Sequence, residues 1–350
     1  MSIPEIQQAW RVAAKGVPSK VLRYDKNVPV PKKLATGEVL VKVQAAALNP
    51  VGYKLMGRLP DILAKKPYIP EHDLAGIVVD ANGTDLREGD QVYGWNPVSI
   101  PLKPDLGVLA QYTRVPADQL VSLPANITPV QASGITLTAM TAYQALVDVG
   151  GLQPEQSVFI NGGSTAVGSF AIQIAKAVGC KVTASASAKN EEYVRSLGAD
   201  EFIDYTKAPL HEALAANPPT PKFHVFLEAV GLMDPSLYTH SEAYLAPGGT
   251  FISVGPQPKG FDVVGVLKLA WKAFLQPRFL GGTKRSFKLV MAHPNRADQE
   301  QIAKYVAEGK VKPLVDSVFA FEDALKAYER LATNRATGKV VIKVDPEVAE

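Results

Sequence analysis

The sequence is poor in residues that build covalently or metal-braced folds. It holds one cysteine, Cys180, in 350 residues, so no intrachain disulfide framework and no cysteine-built metal site can form. Charge of one sign is also missing. The 37 basic and 34 acidic residues leave a net +3 with no clustered basic patch, which argues against a nucleic-acid partner. Long apolar runs are absent as well. The most membrane-like stretch, residues 263–280, is interrupted by Lys268, Lys272 and Arg278, whereas a span needs about 18 apolar residues with almost no charge. The first ten residues lack a basic segment followed by an apolar one, so a cytoplasmic protein with no membrane partner is expected. Three catalytic signatures do not occur: the G-x-x-x-x-G-K-[ST] loop, the G-x-S-x-G elbow and a Tyr-x-x-x-Lys pair. Their absence removes P-loop hydrolases, α/β-hydrolases and short-chain carbonyl reductases.

What remains is ordinary for a chain with a real core: 47% hydrophobic and 20% charged, long enough for about two domains. Residues 1–128 read as strand-rich and are punctuated by Pro and Gly. Glu38 to Ala45 alternates polar and apolar, the period-two mark of a half-buried strand. Ala75 to Asp80 and Asp90 to Gly94 follow as short strands around Asn82-Gly83 and Glu88-Gly89 turns. Such spacing suits a compact β-barrel. From about residue 130 strands and helices alternate. Ser157–Asn161, Lys181–Ser185, Glu201–Tyr205, His224–Glu228 and Gly249–Val254 read as strands, with helices at Ala166–Val178 and Glu191–Leu197. Repeated βα units predict a doubly wound parallel sheet. After residue 280 come two helix candidates and a closing strand, Gly338–Val344.

Gly162-Gly163-Ser164-Thr165-Ala166-Val167-Gly168 falls between the first strand and helix of that series. Counted as G-x-G-x-x-G from Gly163, its middle glycine is replaced by Thr165. Small residues there allow a tight turn, approach of backbone N–H groups to a pyrophosphate, and close helix–strand packing. A purely structural turn would use the same residues, but the strand before and the helix after favour a dinucleotide. An NAD site would place an acid near the end of the second strand, to hold ribose hydroxyls. Lys181 to Asn190 contains no acid; it offers Ser185, Ser187, Lys189 and Asn190, a neutral-to-basic cup suited to a ribose 2′-phosphate. The expected cofactor is therefore NADPH, with a solvated helix-start lysine as the bland reading of Lys189.

Several further stretches carry a resemblance. They are Ala47-Leu48-Asn49-Pro50-Val51-Gly52-Tyr53-Lys54, Ile69-Pro70-Glu71-His72-Asp73-Leu74-Ala75-Gly76 and Leu137-Thr138-Ala139-Met140-Thr141-Ala142-Tyr143. The glycine-rich turn, Ser196-Leu197-Gly198-Ala199-Asp200 and Ala336-Thr337-Gly338-Lys339-Val340-Val341 complete the set. Taken in order, the chain resembles the zinc-independent branch of the medium-chain dehydrogenase/reductase superfamily. Quinone oxidoreductase-like proteins and fungal trans-acting enoyl reductases are the nearest groups. The resemblance implies a GroES-like β-barrel catalytic domain over residues 1–128, completed by 281–350, around a Rossmann domain at 129–280. It also implies that Ser164 to Val167 bind the pyrophosphate and that Ser187, Lys189, Asn190 and Tyr205 hold the 2′-phosphate end. Asn49, Gly255, Thr283 and the segment from Arg335 through Lys339 and Val340 are implied to lie near the cofactor. A homodimer or a monomer is implied.

Two departures from the family pattern stand out. The usual Asn-Pro-x-Asp-x-Lys reads Asn49-Pro50-Val51-Gly52-Tyr53-Lys54, so its aspartate is missing. The zinc-dependent relatives use the His of Gly-His-Glu together with a Cys and another Cys or Asp. Here Asn49 stands at the first ligand position and His72 is flanked by Glu71 and Asp73. No metal site is expected, and His72 reads as structural.

Reduction of an activated C=C needs orientation, a donor at the developing enolate oxygen and a proton for the α-carbon. Lys54 and Thr138 are candidates for placing the nicotinamide ribose and polarising the carbonyl, and Tyr53 for donating the proton. Thr141 is a candidate for the carboxamide, with helix capping as its bland reading. A surface lysine and an aromatic plug are the bland readings of Lys54 and Tyr53. Residues 263–279 read as an amphipathic helix packed on the core or at a dimer interface, or as a lid whose Trp271 and Phe274 cover an acyl chain. The expectation is an NADPH-dependent reductase of enones, enoyl thioesters or quinones. The alternative is a cofactor-binding but catalytically silent member, favoured by Gly52.

Overall fold

A computed structural model describes residues 3–98, 102–257, 262–276, 280 and 282–349. The chain forms two compact units: residues 1–137, 293–307 and 313–350 make the first, and residues 138–292 and 308–312 the second.

The first unit is built around the strand Glu38–Ala47, in which Val39, Val41 and Val43 are buried. It pairs antiparallel with Asp73–Asp80, Tyr112–Pro116 and Lys339–Lys343. Gln91–Trp95, Leu120–Ser122 and Val315–Ala320 extend it to a seven-stranded sheet among the described residues. A separate hairpin, Ile6–Val12 with Leu22–Pro29, adds Trp10 and Val12 to the same apolar core. The register of the central strand positions the polar cluster described below. Ala47 lies opposite both Asp73 and Val341, so the residues just past those pairs, Asn49, Glu71 and Lys339, converge at one end of the sheet.

The second unit carries a parallel sheet of six described strands. Their spatial order is Glu201–Asp204, Lys181–Ala186, Ser157–Asn161, Phe223–Glu228, Leu245–Ser253 and Ser286–Leu289. The first strand in sequence lies third in space, so the winding reverses beside it and opens a crevice at the carboxyl ends. Phe159, Phe226 and Phe251 stand opposite one another on adjacent strands and stack at 4.6 and 4.7 Å, with Phe287 next at 5.7 Å. This ring ladder spans four strands and pins their register by about 1 kcal/mol per pair.

The sixth strand corrects the expected boundary: the second unit runs on to Ala292 rather than ending near 280. Ser286–Leu289 is a short, mostly exposed edge with Lys288 in it, and so shows no buried apolar run. Residues 263–275 are helical, with a wider final turn from Trp271. Leu269 and Ala273 are buried, whereas Leu267, Trp271 and Phe274 are exposed. The part of that expected helix at 277–279 lies outside the described residues.

Candidate active site

In the second unit the glycine-rich turn leads into the helix Ala166–Val178, which ends at Gly179 in the left-handed conformation. Thr165 caps this helix: its hydroxyl oxygen accepts the Gly168 N–H at 3.0 Å and donates to the Gly162 carbonyl at 2.8 Å. Gly162 has a φ of +84°, and a Cβ at Gly168 would fall 2.1 Å from the Gly162 carbonyl oxygen. Glycine is thus required at both positions by backbone geometry and packing. Ser164 to Val167 remain half-buried where the turn enters a thirteen-residue helix. Free N–H groups and the positive end of the helix dipole make this a fitting cradle for a pyrophosphate.

The same carboxyl edge gathers the expected cup. Asn190 Nδ2 donates to Ser164 Oγ at 3.1 Å and to Ser187 Oγ at 3.4 Å. Lys189 is exposed beside them, and Tyr205 follows the neighbouring strand with its N–H on the Ala186 carbonyl at 3.3 Å. Gly255, with φ +93°, follows the fifth strand at this edge; the space beside it is open, and its left-handed backbone favours glycine. An acid that the second strand lacks arrives from the third. Asp204 accepts from the Thr206 N–H and hydroxyl at 3.0 and 2.7 Å. These bonds hold its carboxyl below the usual range.

Two expected cofactor residues do not belong to the cup. Ser185 is fully buried and donates its hydroxyl to Asn161 Oδ1 at 2.8 Å, so it braces two adjacent strands from within. Thr283 precedes the sixth parallel strand and therefore lies at the amino end of the sheet, beside Glu242.

In the first unit, Asn49 is the N-cap residue of the helix Pro50–Arg58, which carries Tyr53 and Lys54. Its amide does not cap the helix. It donates to Asp73 Oδ2 at 3.0 Å and accepts from Lys339 Nζ, which is also paired with Asp73 Oδ2 at 3.1 Å. Asp73 Oδ1 accepts the Leu137 N–H at 2.8 Å. Lys339 and Asp73 are 3% and 0% exposed, so the ion pair is interior and well supplied with hydrogen bonds, as an interior pair must be. Lys339, expected near the cofactor, is held in this pairing. The Val340 side chain lies in the apolar core, while Arg335 is exposed.

Sequence reasoning missed Glu71 as a member of this cluster. It is 1% exposed, with Oε2 accepting the Asn49 N–H at 3.0 Å and Oε1 the Tyr328 hydroxyl at 2.7 Å. Burial pushes its carboxyl up to about 7, opposed by both hydrogen bonds. The signal was available as an acid at the first position of a Gly-His-Glu-like triplet. His72 Nδ1 contacts the Asn96 carbonyl oxygen at 3.0 Å, which selects the tautomer protonated there. Burial holds this imidazole below its ordinary range. Among the described residues no three His, Cys, Asp or Glu side chains gather to hold a metal. Asn49, His72 and Asp73 are engaged as above, so the residues present do not fit a zinc site.

On the helix Pro50–Arg58, Tyr53 packs partly buried against the apolar core, and burial raises its phenol above the ordinary range. Lys54 is half-buried; burial, and then Arg58, lower its ammonium. Thr138 and Thr141 are both buried in the helix Thr136–Tyr143.

Comparison with known proteins supplies the context. Residues 35–125 match the alcohol dehydrogenase GroES-like domain, and residues 197–342 match a family described as zinc-binding dehydrogenase. The chain is 34% identical to the trans-enoyl reductase pgmF of Aspergillus terreus, over 98% of both proteins. It is also 34% identical to the chloroplastic NADPH-dependent alkenal/one oxidoreductase of Arabidopsis thaliana, over 97% of this chain and 80% of that one. Among solved structures, the quinone oxidoreductase of Coxiella burnetii superposes with a TM-score of 0.78 at 25% identity, covering 97% and 99% of the two chains.

Proposed function

The chain belongs to the medium-chain dehydrogenase/reductase superfamily and is an oxidoreductase of it, and on that premise we propose that it uses NADPH to reduce the activated C=C of an enone, enoyl thioester or quinone. The observation that carries the cofactor half of this reading is the cup at the carboxyl edge of the parallel sheet. Ser187, Lys189 and Asn190 gather there beside the capped, glycine-rich turn. Serine and asparagine donors with a lysine charge recognise a 2′-phosphate, and the helix N-terminus recognises the pyrophosphate. When bound, the dinucleotide supplies the hydride. The names of the trans-enoyl and alkenal/one relatives support the substrate half.

In this reading Lys54 polarises the substrate carbonyl and stabilises the developing enolate oxygen. Thr138 is the candidate for placing the nicotinamide ribose, and Tyr53 passes a proton to the α-carbon directly or through water. A lysine whose ammonium is lowered by burial is a stronger hydrogen-bond donor than one in water, which suits a charge that develops only in the transition state.

The test is loss of nicotinamide absorbance with a short enal, a cyclic enone, a quinone and an enoyl thioester, with NADH run in parallel. Consumption of NADPH to a saturated product, with weak use of NADH, is expected. Equal use of both dinucleotides would overturn the cofactor assignment. Reduction of an aldehyde carbonyl in place of the double bond would overturn the reaction assignment.

A further inference from the structure

Gly52 lies in the first turn of the helix that carries Tyr53 and Lys54 and is buried. A Cβ built on it would fall 1.9 Å from Glu71 Oε1, 2.6 Å from Cδ and 2.9 Å from Oε2. The carboxyl of Glu71 therefore fills the space that a side chain at position 52 would occupy. Glu71 itself has a φ of +70°, in the left-handed region that favours glycine. A buried carboxyl on such a backbone is unfavourable on two counts, and it persists only where the surroundings over-determine it. Here they do: both oxygens are engaged, one by the Asn49 N–H and the other by the Tyr328 hydroxyl.

Those two bonds tie three pieces of chain together. Asn49 is the last residue before the helix, and its own side chain is drawn away to Asp73 and Lys339. The entry of the helix is thus held from outside by Glu71, while Tyr328 ties the same carboxyl to the helix Ala324–Ala332. A glycine at 52 is what lets the carboxyl approach.

We infer that Glu71 is a positioning residue for the Tyr53–Lys54 helix, and that Gly52 and Glu71 are a reciprocal pair in which the carboxyl reaches the first turn from the strand side. The missing aspartate at 52 is then not a loss of the carboxyl but a transfer of it. The feature that favoured a silent protein is matched by a compensating acid within contact distance. The assignment of Tyr53 and Lys54 to the substrate rests on the proposed function; the pairing of 52 with 71 does not.

The test compares wild type with Gly52→Asp, Glu71→Gly, the double variant and Glu71→Gln, reading kcat and KM on an enal, NADPH affinity and the urea midpoint. Glu71→Gly should lower kcat roughly 100-fold, the scale of a misplaced catalytic group, with NADPH affinity unchanged. Gly52→Asp alone should lower both activity and the urea midpoint, because two carboxyls then compete for one space. The double variant should recover about tenfold in kcat over Glu71→Gly, and Glu71→Gln should retain most of the wild-type rate. Single effects that simply multiply in the double variant would overturn the pairing, and a wild-type kcat in Glu71→Gly would overturn the positioning role. If wild type reduces no acceptor, the proposed function fails on its own account. The four urea midpoints still decide the pair: an additive cycle overturns it and rescue by the double variant supports it.

Discussion

Replacing Glu71 by Gln should change how the stability of the first unit depends on pH. Glu71 is 1% exposed, and its carboxyl titrates at about 7 instead of 4.5. The folded state holds this proton more tightly than the unfolded one. Its contribution to stability is therefore full below pH 4.5, declines as the pH rises, and is lost above about 7. At about 1.4 kcal/mol per unit, the interval 7 − 4.5 = 2.5 units amounts to about 3 kcal/mol. Gln keeps an acceptor for the Asn49 N–H but has no proton to lose. Urea unfolding of both proteins across roughly pH 5 to 8 gives the comparison. The difference between them should move by about 2.5 kcal/mol in favour of Gln across that window, because pH 5 already lies above the ordinary carboxyl value. His72, held neutral by burial, contributes in the opposite sense as the pH falls, but it is present in both proteins and cancels. Two curves that run parallel would refute the buried, proton-holding carboxyl.

Three other outcomes are expected. Gly168→Ala should cost at least about 2 kcal/mol by urea unfolding and weaken dinucleotide binding, because its methyl meets the Gly162 carbonyl oxygen at 2.1 Å. Thr165→Ala, which deletes the cap on the Gly168 N–H, should cost about 1 kcal/mol by the same assay and leave the sheet intact by circular dichroism. Lys189→Glu should raise the NADPH KM about tenfold or more while changing the NADH KM little, a split that steady-state kinetics with both dinucleotides reads directly.

Elements with their own caps and periodicity were legible in the sequence. The helix Ala166–Val178 begins and ends where the small-residue turn and Gly179 place it, and Ser157–Asn161 is the buried strand its apolar run predicts. The sixth strand was not legible, because an exposed edge carries no apolar signature. Ser185 reads as a ligand contact in the sequence because alternation tells which face a hydroxyl takes but not that Asn161 waits across the strand gap to receive it. The position of Thr283 is hidden for a related reason: the direction of an unrecognised strand decides which end of the sheet a residue joins. Glu71 and Gly52 were each visible as a departure from a family pattern. Their relation was not, because antiparallel register, not sequence distance, brings position 71 opposite 49.

The pairing of Lys339–Lys343 with the central strand has a consequence for biosynthesis. Ala45, Ala46 and Ala47 take their partners from residues nearly 300 positions later, while the Asn49–Lys339 bond spans 290. On the ribosome, every residue of the second unit emerges before that partner does. The growing first unit must hold an open alanine edge throughout, with Asp73 lacking its counter-charge and the Asn49 amide oxygen its Lys339 donor. So large a separation makes closure the slow, high-contact-order step. Until then the exposed edge is a site for mispairing, so truncated or stalled chains should be far more prone to aggregate than the finished protein.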